Sequence, residues 1–211
     1  MVYFEKSSPS PKITSTYNTN EVVDRLKQDF CGKCYICENS QLTSINVEHF
    51  VAHRGDKSLK LDWQNLFFAC THCNNLKSDK FNNLLNCTLL KDEVDKAIRY
   101  YCDPMPKEHA VFEEQKSSIK TQETIRLLKL CFNGDHTMQK KIESANLRNL
   151  LLKEVRIFQE LLLAQDNGGD DSVLAKIQIH LNKTSAFTAF KRWIIWDDHY
   201  WSDKYGQYIR D

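Results

Sequence analysis

The sequence is poor in the residues that break chains, with six glycines and four prolines in 211 positions. That scarcity argues against a collagen-like or low-complexity chain and against a turn-rich all-β sandwich, and it leaves helix as the expected main element. Also missing is any run close to the roughly 18 unbroken apolar residues of a membrane span. The opening segment MVYFEKSSPSPKITSTYNTN lacks the basic stretch and apolar stretch of a secretory leader. The expectation is a cytoplasmic protein with no membrane partner. Excess charge of either sign is absent as well. Twenty-nine Lys and Arg face 28 Asp and Glu, for a net charge of +1. No global field therefore advertises nucleic acid, and any basic track must be local or belong to a partner.

Cysteine, by contrast, is plentiful: eight residues. In a reducing compartment such thiols bind metal or lie buried rather than pair as disulfides, and their spacing decides between the two. CGKCYIC supplies Cys31, Cys34 and Cys37, and CTHC supplies Cys70 and Cys73. A C-x-x-C hairpin sets two thiolates on one edge of a tetrahedron, and a second hairpin completes a structural zinc site. The favoured ligands are Cys34, Cys37, Cys70 and Cys73, because Glu38 and a turn follow Cys37 as in a knuckle. Pairing Cys31 with Cys34, with Cys37 left over, is the alternative. Cys87, Cys102 and Cys131 fall outside this spacing and are expected to be buried. His72 is expected to be a bystander.

Three segments are expected along the chain. Residues 1–30 form an extended arm followed by a short helix, NEVVDRLKQDF, capped by Asn20 or Thr19 with Val22, Leu26 and Phe30 on one stripe. Residues 31–85 lose helical periodicity and hold the cysteines, a strand-like run at Ile45, Val47 and His49, a turn at Gly55, and a helix expected over NNLKSDKF after Cys73, with Asn74 or the preceding Thr71 near its N-terminal end. Strand, turn, return and helix around a metal make a small ββα unit. Residues 86–211 read as mostly helical. Their first part, around a Pro-Met-Pro step, is irregular with a strand or two. After it come a helix over 121–132, a break at Gly134, and a long helix over 138–165 whose Leu147, Leu151, Val155, Phe158 and Leu162 recur as a core stripe. DNGGDD at 166–171 reads as a flexible linker, and helix resumes after it. The aromatic tail from Phe187 to Tyr208 is expected to be mainly core. Its exposed members and the long helix are the candidate docking surfaces.

The stretch from Cys34 to Phe81 resembles the HNH nuclease motif, with Glu48-His49, Asn65-Leu66, and Cys70-x-x-Cys73-Asn74-x-x-Lys77 standing at its landmarks. More narrowly, VEHF, LDWQNLFFAC, CNNLKSDKF, LLNCT, NLRNLLLKEV and SAFTAFKRWII resemble the HNH (PtuB-like) subunit of the Septu anti-phage system, a type that also occurs with retrons. The implied fold is mainly α with a zinc-stabilised ββα-metal nuclease module and a helical C-terminal region. The implied activity is metal-dependent hydrolysis of phosphodiester bonds, leaving 5′-phosphate and 3′-hydroxyl ends. The implied partners are nucleic acid, DNA ahead of RNA, and an ABC-type (PtuA-like) ATPase; a retron setting would add a reverse transcriptase with its RNA and DNA.

The resemblance assigns roles that suit the chemistry of each residue. His49, titrating near pH 6.5 when unperturbed, is the candidate base that takes a proton from water. Glu48 and Asn74 are hard oxygen ligands for Mg2+ or Mn2+, and an amide at position 74, where many relatives have His, disfavours nitrogen-preferring metals. Asn65 is expected to hold the loop that orients the His49 ring. Lys77 is the expected phosphate contact; Arg54 and His53 are expected to be solvated turn residues, with substrate contact as the alternative. Ala52-His53 stands where the resembling proteins carry Pro-Lys, which puts a phosphate contact there in doubt. One geometric problem is visible in advance, since neighbours in a regular strand point to opposite faces. Two other readings keep the scaffold: an RNA-cleaving effector, for example on tRNA, and a zinc-knuckle adaptor without catalysis.

Overall fold

The structure, a computed structural model, describes residues 1–103 and 108–210. A first helix, α1 (Asn20–Asp29), begins where the Thr19 hydroxyl accepts the Val22 amide at 3.3 Å, and it buries Val22 and Leu26, with Phe30 completing the stripe at its end. The chain then turns through the first cysteine cluster into β1 (Ile45–His49), which pairs antiparallel with β2 (Leu66–Cys70). Ile45 lies opposite Cys70 and His49 opposite Leu66. The apolar LFFA of β2 is buried throughout, as a strand covered on both faces must be. Between the strands sit a single turn of helix, α2 (Lys57–Lys60), started by the Asp56 carboxylate, and a 3-10 turn at Trp63–Asn65 started by Asp62.

The helix of the ββα unit, α3 (Thr71–Lys77), opens inside the second cysteine pair, at Thr71, the earlier of the two starts expected. Cys70 acts as its cap, its sulfur accepting the Cys73 amide at 3.5 Å. Cys73, Asn74 and Lys77 consequently share one rigid element.

A second hairpin follows, β3 (Ile98–Asp103) and β4 (His109–Glu114), in the region expected to be irregular. The Pro-Met-Pro step lies outside the described residues. Helix α4 (Ile119–Asn133) ends at Gly134, and α5 (Met138–Asp166) runs 29 residues with Leu147, Leu151, Val155, Phe158 and Leu162 buried along one side. The 166–171 segment is a short hydrogen-bonded connection: the Gly169 amide reaches the Ala164 carbonyl, Gly168 takes φ +90°, and Asp170 caps α6 (Asp171–Leu181). The tail forms α7 (Thr188–Trp196) and α8 (His199–Tyr205).

One apolar core runs from Val2 and Phe4 through Phe30, Tyr35 and Phe67 to Leu128, Leu151 and Phe190, so it crosses the segment boundaries expected near residues 30 and 85. A smaller cluster joins Phe158, Leu162, Ile177, Leu181, Ile195 and Tyr205. Buried polar contacts tie the far ends together: the Arg192 guanidinium donates to Asp95 at 2.6 Å, and the Lys33 ammonium donates to the Ser185 carbonyl at 2.7 Å. The N-terminal arm, irregular as expected, is pinned by Phe4 to the Cys87 carbonyl and by Ser7 to Asp29. Among the described residues no helix is long and apolar enough to cross a membrane.

Candidate active site

Four thiols converge where the two C-x-x-C hairpins meet. The sulfurs of Cys34, Cys37, Cys70 and Cys73 all lie within 4.8 Å of one another, with Cys37 and Cys70 4.0 Å apart. A zinc ion with Zn–S bonds of about 2.3 Å needs sulfur–sulfur edges of about 3.8 Å, so the cluster can hold zinc after a slight contraction. Cys31 is not part of it. That residue occupies the turn after α1 with φ +53°, which closes the alternative pairing. Cys87 and Cys131 are buried and Cys102 half-buried.

The knuckle fixes β1 against α3, and there the acid–histidine pair sits at the end of the strand. Glu48 is nearly enclosed, and its Oε1 receives the Lys77 ammonium at 2.6 Å. Lys77 also donates to the His49 carbonyl at 2.8 Å and has no exposed surface. The expectation of a phosphate contact at Lys77 is therefore corrected. From the last turn of α3 its side chain points inward, because a buried ammonium must find acceptors, and Glu48 and the strand carbonyl are those acceptors. Burial raises the Glu48 carboxyl above its usual range, and the Lys77 charge partly offsets this.

Asn74 precedes Lys77 by three residues and so lies on the same face of α3, the face turned to Glu48. Its amide oxygen is buried and has no hydrogen-bond partner among the described residues. Glu48 uses only one oxygen in hydrogen bonds. An unsatisfied buried amide oxygen on the helix face turned to a carboxylate with one oxygen to spare is a donor set of the kind a hard divalent cation takes.

His49 faces the other way, toward the loop between the strands. Its Nε2 lies 3.1 Å from the Lys60 carbonyl. A carbonyl only accepts, so Nε2 carries the proton and the neutral ring presents Nδ1 as its acceptor. Burial lowers the His49 pKa; the Lys60 carbonyl opposes the shift, and the His53, Lys77 and Lys60 charges add to it. The resting ring is thus the form able to accept a proton.

Asn65 makes the loop rigid. Its side chain accepts the Val51 amide at 2.8 Å and donates to the carbonyls of Val51 at 2.9 Å and Leu59 at 3.0 Å. These bonds fasten both limbs of the 50–61 loop, whose last turn offers the Lys60 carbonyl to His49. The outer residues are looser. Arg54 is exposed, at φ +44°, and donates to the Asp79 carbonyl at 3.2 Å. His53 accepts the Gly55 amide through Nδ1 and sets its ring 4.6 Å from that of His49.

Two contacts were not foreseen. His72, expected to be idle, joins the module to the helical region by bonding Glu143 of α5 at 2.7 Å and the Cys131 carbonyl of α4 at 2.8 Å. Tyr17, from the arm, places its ring 4.5 Å from His49. Neither is legible in local sequence, since each partner is at least 32 positions away.

A strand pair and helix gathered by four cysteines, with a neutral histidine next to an enclosed acid, make a ββα unit of the kind expected from the sequence. Residues 31–80 match the HNH endonuclease family. The chain therefore carries an HNH endonuclease domain, and the protein is a nuclease, a hydrolase of phosphodiester bonds whose activity depends on a metal. No curated protein and no solved structure matches the chain.

Proposed function

We propose that the protein cuts DNA by a single-metal mechanism and serves as the effector of an anti-phage complex with an ABC-type ATPase, of the Septu or retron-associated kind. The observation that carries the catalytic part is the arrangement at the end of β1: Glu48 toward the α3 face of Asn74, and a neutral His49 held by the Lys60 carbonyl. Glu48 and Asn74 would hold Mg2+ or Mn2+, which would supply charge stabilisation at the scissile phosphate and the departing 3′ oxygen. His49 takes a proton from the attacking water at Nδ1, and Asn65 keeps its loop in register. Arg54 is the exposed cation nearest the site in sequence and remains the candidate phosphate contact. Zinc at the four cysteines serves structure alone.

The near-neutral charge supports a partner. Residues 49–80 hold five Lys or Arg against three Asp, and zinc bound by four thiolates adds about −2. Lys77, moreover, is spent on Glu48. A nuclease that grips a backbone alone needs several phosphate contacts, so recognition falls to the complex. The resemblance beyond the motif, in LLNCT, NLRNLLLKEV and SAFTAFKRWII, points to the Septu or retron type.

The test is incubation of the zinc-loaded protein, alone and with an ABC-type ATPase of the proposed kind, on labelled duplex DNA and on total tRNA in Mg2+. DNA cleavage that requires the ATPase supports the whole reading, and tRNA cleavage would move the substrate to RNA. An adaptor would cut neither substrate, and its His49→Ala variant would still protect cells from phage.

A further inference from the structure

The HNH match covers residues 31–80, yet the His49 ring is also held by a residue outside that span. Tyr17 approaches the imidazole edge-to-face, with centroids 4.5 Å apart and planes at 75°. His53 approaches at 4.6 Å with planes at 61°. Lys60, whose carbonyl receives the His49 N–H, also carries its ammonium 5.9 Å from the centre of the Tyr17 ring. His49, Lys60 and Tyr17 thus close a circuit of contacts. The stretch that delivers Tyr17 is otherwise turned to solvent: from Lys12 to Asn20 only Ile13 and Tyr17 are partly buried. The arm comes to the strand end with one aromatic ring, and that ring rests on the candidate base.

We infer that Tyr17 is a positioning residue for the nuclease reaction, an aromatic buttress supplied by the N-terminal arm that fixes the plane of the His49 imidazole. A single N–H···O=C bond leaves the ring free to rock about that contact, and the side chain retains its χ rotations. Rings on its flanks remove this freedom, because edge-to-face pairs have a preferred geometry. Proton transfer from water requires Nδ1 to point along one direction, and a misplacement near 1 Å costs on the order of 100-fold in rate. The Tyr17 hydroxyl makes no hydrogen bond among the described residues. The ring, not the hydroxyl, is therefore the working part.

The inference rests on His49 as the base, and the experiment separates the two. Full-length, zinc-loaded wild type, Tyr17→Ala, Tyr17→Phe and His49→Ala are compared by steady-state hydrolysis of labelled DNA in Mg2+, with the ATPase if activity needs it. Zinc content and Tm are read on the same samples to show that each variant is folded. Tyr17→Ala should lose about 10-fold or more in kcat with KM within about twofold, and Tyr17→Phe should restore kcat. An unchanged Tyr17→Ala overturns the inference. A rise in KM alone would make Tyr17 a substrate contact, a faster Tyr17→Ala would make the arm an obstruction, and failure of Tyr17→Phe would assign the work to the hydroxyl; each of these also overturns it. Full activity in His49→Ala would instead remove the base assignment, whatever Tyr17 does.

Discussion

At the scale of single residues, the site turns on how two neighbours divide the end of one strand. Regular pleating sends Glu48 and His49 to opposite sides, and the structure keeps that divergence: the acid meets α3 while the histidine meets the loop. Lys77 shows what sequence conceals, since a lysine in a nuclease motif reads as a phosphate ligand until its depth is known. Its burial makes a distinct prediction. Lys77→Met should cost about 3–5 kcal/mol of stability, because Glu48 is left buried without its countercharge. A phosphate contact would instead lose substrate affinity and reduce the salt dependence of binding, with Tm unchanged. For His49 the sign follows from its lowered pKa. The neutral base exists above that pKa and is lost as pH falls through it, so the acid limb of log(kcat/KM) should have its midpoint below the unperturbed value of about 6.5. A midpoint above that value would contradict a desolvated base.

At the scale of elements, spacing made most of the module legible. The strand pair, the cysteine set and the α3 region followed from period-two alternation and C-x-x-C arithmetic, and the long helix α5 from its stripe of Leu147, Leu151, Val155, Phe158 and Leu162. The start of α3 falls at Thr71 and not at Asn74, with Cys70, a residue with no strong capping habit, in the cap position. In the 166–171 connection the glycines serve a special φ, +90° at Gly168. The strand or two expected before α4 are the β3–β4 hairpin. The knuckle also allows a clean separation of cysteines: Cys31→Ala should keep one zinc per chain by metal analysis, whereas Cys37→Ala should lose it and destabilise the module. Equal zinc loss in both variants would put Cys31 back among the ligands.

At the scale of the whole molecule, the nuclease module is not a bead on a string. The core passes through it from the arm to α7, and His72 clamps it to α4 and α5. Such integration was beyond the reach of local pattern, because it depends on pairs far apart in sequence, Lys33 with Ser185 and Tyr17 with His49 among them.

The central claim is metal-dependent hydrolysis with His49 as base, and it is tested most directly by single-turnover cleavage of labelled DNA by zinc-replete protein, in Mg2+ and in its absence, beside His49→Ala. The account predicts cleavage that needs Mg2+ and falls by about 100- to 10,000-fold in His49→Ala while zinc content and Tm stay unchanged. Cleavage by a folded, zinc-loaded His49→Ala at the wild-type rate would contradict it.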